Sequence, residues 1–458
     1  MNLKLEEQAY ISESEKALAG QKIWKLFLHY AVPGVIGLLF VGIQSIVDGL
    51  MVGNFLGADA LAGVSLILPC YSLAVALAVV VGIGSQTIVS ISLGEKNYNK
   101  AQDAMTTGFI AVLLISLLFT IAMLVNPDAL ARLLGANDKL MPHAVGYIKG
   151  LVPFMPVLTT MFYSDFMIKS IGNPRYAMAI TTSSVLLNVL FNWLFIKVWG
   201  FGTMGTGLAT GVAFSLGAVF SYAIIFNAKN IISVSKGKFR FAYFREMLYN
   251  GSSEGLTEFA AGISTFLFNI TLMKFVGENG VAAFTVINYV FFVGTTVFLG
   301  ISDGIIPIIS YNYGAQQIKR VKQAFFLGIR TNSIIGLFLF SILFFFSHPI
   351  ITLFFSGSAD QVVDLASHGA AIYAFAFLVS GFNILSSSFF TSLANAKLSV
   401  IIALLRGVVF LFAGIYILPR IWGVNGIWIT IPLAEALTLL ISVILVRRKL
   451  KSLGKAGI

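Results

Sequence analysis

An all-α polytopic membrane protein is the fold class predicted by this 458-residue sequence. Three observations carry it: 58% of the residues are hydrophobic, only 11% are Asp, Glu, Lys or Arg, and long apolar segments recur along the whole chain. An ordinary soluble domain carries about 25% charged residues, so charge this sparse cannot cover a water-facing surface. A soluble enzyme and a disordered chain are excluded together. A single Cys excludes a disulfide framework or a thiolate-rich metal site.

Each apolar segment is near the roughly 20 residues needed to cross a bilayer. Twelve spans are predicted, at about 24–55, 58–92, 102–126, 143–170, 177–197, 205–227, 251–275, 281–313, 325–347, 370–393, 399–418 and 424–446. Strand alternation is absent, and the segments are too long for barrel strands. Span 1 contains Pro33, which leaves a backbone carbonyl without its donor and marks a kink or gating point. The stretch 229–250 shifts from apolar to Lys, Arg, Tyr and Phe, so it reads as a cytoplasmic linker or interfacial helix. The resulting organisation is a 1–23 cytoplasmic segment, spans 1–6 over 24–228, the linker 229–250, spans 7–12 over 251–446 and a basic cytoplasmic tail 447–458.

Basic residues set the orientation. Twenty-two Lys and Arg fall on the side of the termini and six on the other, with Arg330 and Arg406 inside spans. Both termini are therefore expected in the cytoplasm of a multi-pass cell (inner) membrane protein. The net charge of +11 is a topology signal, with some attraction to anionic membrane lipid, and no nucleic-acid footprint. The first 23 residues lack the apolar core of a cleaved signal peptide.

The sequence repeats. A shift of 220 places Gly57 on Gly277, Gly84 on Gly304, Gly94 on Gly314 and Gly108 on Gly328. A shift of 222 matches Ser170, Asn173 and Arg175 with Ser392, Asn395 and Lys397, and a shift of 223 pairs Trp199–Gly200 with Trp422–Gly423. Each copy holds six spans, so the two repeats run parallel. Paired repeats around a central cavity are a common transporter architecture, with alternating access by rocking.

An ionisable side chain inside a span costs about 2.5–3.5 kcal/mol and needs a partner, water or a function. Asp48 lies about two turns before the outer end of span 1 with no Lys or Arg within two turns on that helix. Span 5 offers Asn188 and Asn192, and span 6 offers Thr206 and Thr210, each pair at i and i+4 on one face. The short turn between spans 5 and 6 makes them antiparallel neighbours with these pairs at similar depth. A carboxylate with amide and hydroxyl oxygens suits a hard monovalent cation or a proton; plain interhelical hydrogen bonding is the alternative, above all for the threonines. The repeat sets Phe268, Leu411 and Ile415 at the positions of Asp48, Asn188 and Asn192, so only the first half holds this constellation.

The other acids have competing explanations. Asp165 has Lys169 at i+4, so it either makes a local ion pair or serves transport. Glu254 and Glu258 open span 7 on one face, where capping of the helix dipole competes with a binding role. Asp303 sits inside span 8 before Gly304 and Pro307, where it could face a cavity. Glu435 in span 12 has Arg406 of span 11 as a possible partner. The four His show no metal spacing, and no P-loop is present.

The runs Asp48–Gly49–Leu50–Met51–Val52–Gly53 and Gly57–Ala58–Asp59–Ala60–Leu61–Ala62 resemble the first-span signature of the multidrug and toxic compound extrusion (MATE) family. Gly94–Glu95–Lys96–Asn97, Gly172–Asn173–Pro174 and the start of span 6 match further, so the resemblance covers the whole chain, with the polar start of span 7 similar to the bacterial multidrug exporter branch. It implies a non-enzymatic antiporter, functional as a monomer, that exports amphipathic organic cations as Na+ or H+ enters, with no cofactor beyond that coupling ion. By resemblance Asp48 is the coupling aspartate, Asn188, Asn192 and Thr210 are its partners (the Na+ ligands if the ion is Na+), and Asp165 falls on a commonly polar span-4 position. Thr206 completes the expected coupling set, and Glu254, Glu258 and Asp303 are candidate counter-charges for a cationic substrate. Asn383 and Ser386–Ser388 stand in span 10 where some members carry an acid. A flippase for a lipid-linked sugar is the alternative, and a passive channel is a third class.

Overall fold

A computed structural model describes residues 17–354 and 360–455. Residues 1–16 of the expected N-terminal segment and 456–458 of the expected tail lie outside the described residues. Among the described residues the regular structure is entirely helical, with no strand. In the first half the helices are α1 (Ile23–Leu56), α2 (Ala58–Gly94), α3 (Tyr98–Val125), α4 (Pro127–Leu133), α5 (Met141–Leu151), α6 (Met155–Ser170), α7 (Pro174–Asn192) and α8 (Gly202–Ile225). The second half has α9 (Phe241–Phe275), α10 (Glu278–Gly314), α11 (Ile318–Phe345), α12 (Ser347–Thr352), α13 (Asp360–Ala374), α14 (Phe377–Ser392), α15 (Ala396–Leu404) and α16 (Phe410–Lys455).

Ten stretches are long and apolar enough to cross a membrane, and α13 with α14, bent by 51°, form an eleventh. The last of the ten runs 59 residues, Ala396–Gly454. At about 1.5 Å per residue it is several times longer than a hydrocarbon core of about 30 Å. It turns at Trp422 and Gly423, where the backbone leaves helical geometry, and so supplies two crossings. Twelve spans result among the described residues.

The last carbonyls of a helix have no intrahelical partner, and a left-handed residue lets the chain turn back and pair them. The repeat does this in duplicate. The N–H of Asn97 donates to Ser92 O and that of Gln317 to Asn312 O, each across a left-handed residue, Lys96 (φ 58°) and Gln316 (φ 58°). The same closure joins Asn173 to Ile168 O and Asn395 to Phe390 O, across Gly172 (φ 95°) and Ala394 (φ 52°). Gly57 and Gly277, and Gly200 and Gly423, share positive φ as well. All four pairs fall on the shifts of 220, 222 and 223 read from the sequence.

The described residues form two compact units, 17–22 with 32–251, and 23–31 with 252–354 and 360–455. The first nine residues of α1 thus belong with the second unit, and the change falls next to Pro33, inside a helix that continues through it. Repeat-related glycines make this packing possible. A Cβ on Gly304 would stand 2.9 Å from Ala31 Cα within the second unit, and one on Gly84 would collide with the Met247 backbone within the first. The first unit's core gathers Ile67, Ile148, Leu151, Leu158 and Phe214, and the second's gathers Phe268, Phe284, Phe298, Phe377 and Trp428.

Two spans begin ten residues before the sequence expectation, one of them α13 at Asp360 against an expected 370. Helix α9 begins at Phe241, ten residues before the expected start of span 7, inside the stretch assigned to the linker. No Pro breaks residues 241–250, and their charged side chains need not leave the helix to reach water.

Ala394 occupies a left-handed position that its repeat partner fills with Gly. Replacing Ala394 by Gly should therefore raise stability by about 1 kcal/mol, and Gly172→Ala should lower it by a similar amount. Thermal unfolding midpoints in detergent would check both; a fall for Ala394→Gly would contradict the reading.

Candidate functional site

Asp48 sits on α1 two turns before Leu56. Gln44, one turn earlier on the same face, donates from Nε2 to Asp48 Oδ2 at 3.4 Å, and Asn192 Nδ2 donates to Oδ1 at 2.7 Å. The amide of Asn188 is satisfied at both ends with its nitrogen toward Asp48 Oδ1 at 2.9 Å. Its oxygen then accepts from the Thr210 N–H at 3.3 Å and hydroxyl at 3.0 Å. The reverse orientation would set an amide oxygen against the carboxylate. Three amide donors from two helices thus converge on one carboxylate.

Local structure explains the convergence. Asn188 and Asn192 share a face of α7, Thr206 and Thr210 share a face of α8, and a turn with Gly200 (φ 67°) and Gly202 (φ 58°) joins the helices. A π-helical stretch, Trp193–Val198, follows Asn192 directly; such widened turns often mark functional positions. Close packing holds α8 against α5, because a Cβ on Gly207 would lie 2.5 Å from Leu151 N.

Asn188, Asn192, Thr206 and Thr210 are all buried. Among the described residues Asn192 Oδ1 and Thr206 Oγ1 have no hydrogen-bond partner although both are buried, a costly state in a low-dielectric site. Tyr71 and Tyr147 lie within electrostatic reach of Asp48. The donor set is hard oxygen with one negative charge. Among the described residues no group of three or more His, Cys, Asp or Glu gathers as a metal site would require. Such a set suits one positive charge, a monovalent cation or a proton, in place of the amide hydrogens.

The expected constellation comes together in Asp48, Asn188, Asn192 and Thr210, with Thr206 adjoining it one turn from Thr210. Gln44 escaped the sequence reading although it lies at i−4 from Asp48, a spacing that could have found it. Tyr71 and Tyr147 carried no such signal. Asp165 lies outside these hydrogen bonds: it pairs with Lys169 and accepts from Thr181 Oγ1 at 3.4 Å.

The second unit is built differently. Phe268, Leu411 and Ile415, the repeat equivalents of Asp48, Asn188 and Asn192, are buried parts of its hydrophobic core. Its buried polar network stands elsewhere: Arg406 Nη2 and Nε approach Glu435 Oε1 at 2.7 and 3.1 Å, and Asn383 Nδ2 donates to Glu435 Oε2 at 2.7 Å. Glu254 is thirteen residues into α9. The first-turn dipole interaction expected for it is therefore absent, because the helix starts earlier than the apolar pattern implied. Glu254 instead lies within electrostatic reach of Asp303, Glu258 and Arg406.

A buried ion pair broken on one side strands a charge, at a cost of about 3–5 kcal/mol. Arg406→Met and Glu435→Met should each lower stability by that order, and the double variant should recover most of the loss. Unfolding midpoints in detergent measure this; a double variant as unstable as the sum of the singles would refute the pairing.

The MatE family model matches residues 33–194 and again 255–417, one match per half. The Multidrug export protein MepA of Staphylococcus aureus (strain NCTC 8325 / PS 47) is 24% identical over 445 residues, covering 96% of both chains. That of Staphylococcus saprophyticus is 23% identical over 448 residues, again 96% of both. The crystal structure of a MATE protein in complex with MaL6 superposes with a TM-score of 0.90 at 22% identity, covering 96% of this chain and 99% of that one. The doubled family match, with the doubled turns and the twelve spans, makes this chain a member of the MATE family of membrane transporters.

Proposed function

We propose that this protein is a secondary active antiporter that exports amphipathic organic cations as Na+ or H+ enters, by alternating access of its two halves, as a monomer with both termini cytoplasmic. The observation that carries the reading is the cluster of three amides on Asp48, present in one half and replaced by apolar core in the other. The multidrug export relatives support the substrate class, and the basic residues on the terminus side support the orientation.

In this reading ionised Asp48 is where the incoming cation binds. The cation displaces amide N–H groups, and rotation of Asn192 turns its unpaired oxygen toward the ion, with the Thr206 hydroxyl oxygen as a further ligand. The cluster then repacks α1 near Pro33. Such a change shifts the transporter only if the ion binds the two states with different affinity. One positive charge moving inward across about 100 mV supplies roughly 2.3 kcal/mol. Asp165, paired with Lys169 and accepting from Thr181 in the same half, is the further acid assigned to ion coupling in this reading.

Glu254, Glu258 and Asp303 supply counter-charge for flat lipophilic cations, with aromatic faces adding cation–π attraction. A flippase for a lipid-linked sugar is disfavoured, because a pyrophosphate needs free buried cations and Arg406 is already neutralised by Glu435.

Ethidium accumulation in energised cells should be low with wild type and should rise to the empty-vector level with Asp48→Asn at equal membrane abundance. Wild-type cells that accumulate as much ethidium as empty-vector cells would sink the drug-export reading. Glu258→Gln combined with Asp303→Asn should raise the half-saturating ethidium concentration about tenfold, equivalent to ~1.4 kcal/mol of lost attraction; an unchanged value would remove these two acids from the substrate site.

A further inference from the structure

A groove in the second unit has no part in the transport reading. It has a volume of about 470 Å3 and is lined by Ile23 and Trp24 from the start of α1 and by Lys319, Lys322, Gln323, Phe326, Leu327 and Arg330 from α11. The α11 residues recur at three- and four-residue intervals, so they form one stripe of that helix. Three cations line the groove and no acid does. None of the three makes an ion pair among the described residues. Trp24 (52% exposed) and Phe326 (48% exposed) leave half their surface open beside these charges.

Position along the helix separates the charges by depth. Lys319 and Lys322 lie in the first turns of α11, whereas Arg330 is two turns beyond Lys322, about 12 Å further along the axis. Helical side chains tilt toward the helix N-terminus, so Arg330 reaches back toward the two lysines. A cation that far into a span is expensive unless an anion or water meets it. Trp and Lys beside one another mark the headgroup level of a membrane, while Phe326 and Leu327 continue the stripe into the acyl region. Further charge comes from the end of α16: a Cβ on Gly454 would stand 3.2 Å from Lys322 Nζ, and Arg447, Arg448, Lys449 and Lys451 lie on that same helical end.

From this arrangement we infer that the groove between the start of α1 and α11 is a binding site for an anionic phospholipid. Lys319 and Lys322 bracket its phosphodiester from the aqueous side and Arg330 from the hydrocarbon side. The glycerol and acyl chains lie along Trp24, Phe326 and Leu327. A free phosphate would satisfy the cations but not the apolar half of the groove, and a zwitterionic lipid would bring its own cation into the cluster. This inference does not depend on what the protein transports.

The test is native mass spectrometry of the full-length protein from detergent, with equimolar phosphatidylglycerol and phosphatidylcholine added. Wild type should retain phosphatidylglycerol preferentially, and millimolar inorganic phosphate should not displace it. Lys322→Gln combined with Arg330→Gln should lower that retention about 30-fold, taking roughly fivefold for each cation near a lipid surface. Equal retention of the two lipids by wild type, displacement by phosphate, or an unaltered preference in the double variant would each overturn the site. A second measurement needs no charge variant. Brominated phosphatidylglycerol in reconstituted bilayers should quench a component of wild-type fluorescence that Trp24→Phe lacks, and brominated phosphatidylcholine should quench it far less. Equal quenching by both lipids would overturn the proposal.

Discussion

Hydrocarbon supplies no hydrogen-bond partner, so a charged or polar side chain within the membrane is costly unless the chain itself supplies its partners. Asp48 feels this constraint most. Its carboxylate meets three side-chain amides, from Gln44 on its own helix and from Asn188 and Asn192 on α7. Those amides are held by the Thr210 hydroxyl, by the tight turn between α7 and α8, and by close glycine packing of α8 on α5. The same constraint joins Arg406 to Glu435 in the second unit.

The two halves share a scaffold and differ in where they place charge. Turn geometry is conserved between the repeats to the residue, including left-handed positions that cost a non-glycine side chain about 1–2 kcal/mol. Polar chemistry is not conserved between them. Where the first half has Asp48, Asn188 and Asn192, the second packs Phe268, Leu411 and Ile415 into its core. Where the second has Asn383 and Glu435, the same offsets give Met161 and Val212 in the first. A symmetric pore would need like groups in like places. Unlike groups suit a device in which one half binds the coupling ion and the other presents acids to a substrate.

Much of this was legible beforehand because membrane proteins advertise their spans and repeats advertise their turns. The offsets of 220, 222 and 223 pair Gly57 with Gly277 and Gly200 with Gly423 from the sequence alone, and the left-handed pairs Lys96/Gln316 and Gly172/Ala394 fall on the same offsets. Asp48 stood out because an acid with no cation within two turns on its helix is expensive, and i, i+4 spacing put two asparagines on one face of span 5. Other features were hidden for physical reasons. Gln44 is polar but uncharged and drew no attention on a helix already holding an acid. Tyr71 and Tyr147 approach Asp48 only through tertiary packing, which no local pattern encodes. The early start of α9 was masked because helices outside hydrocarbon carry no apolar signal, and that start removed Glu254 from the helix terminus. Asn383 joined Glu435 and Arg406 through side chains from three helices, of which pairwise reading suggested only two.

The central claim is that Asp48 couples an entering cation to the export of an organic one. Purified protein reconstituted into liposomes, loaded with ethidium and exposed to an imposed Na+ or proton gradient, tests it without the complications of a cell. Ethidium should move against its own gradient when one of those ions is supplied in the opposite direction, and Asp48→Asn should abolish that movement while remaining folded. Gradient-driven movement at the wild-type rate in Asp48→Asn would contradict the account.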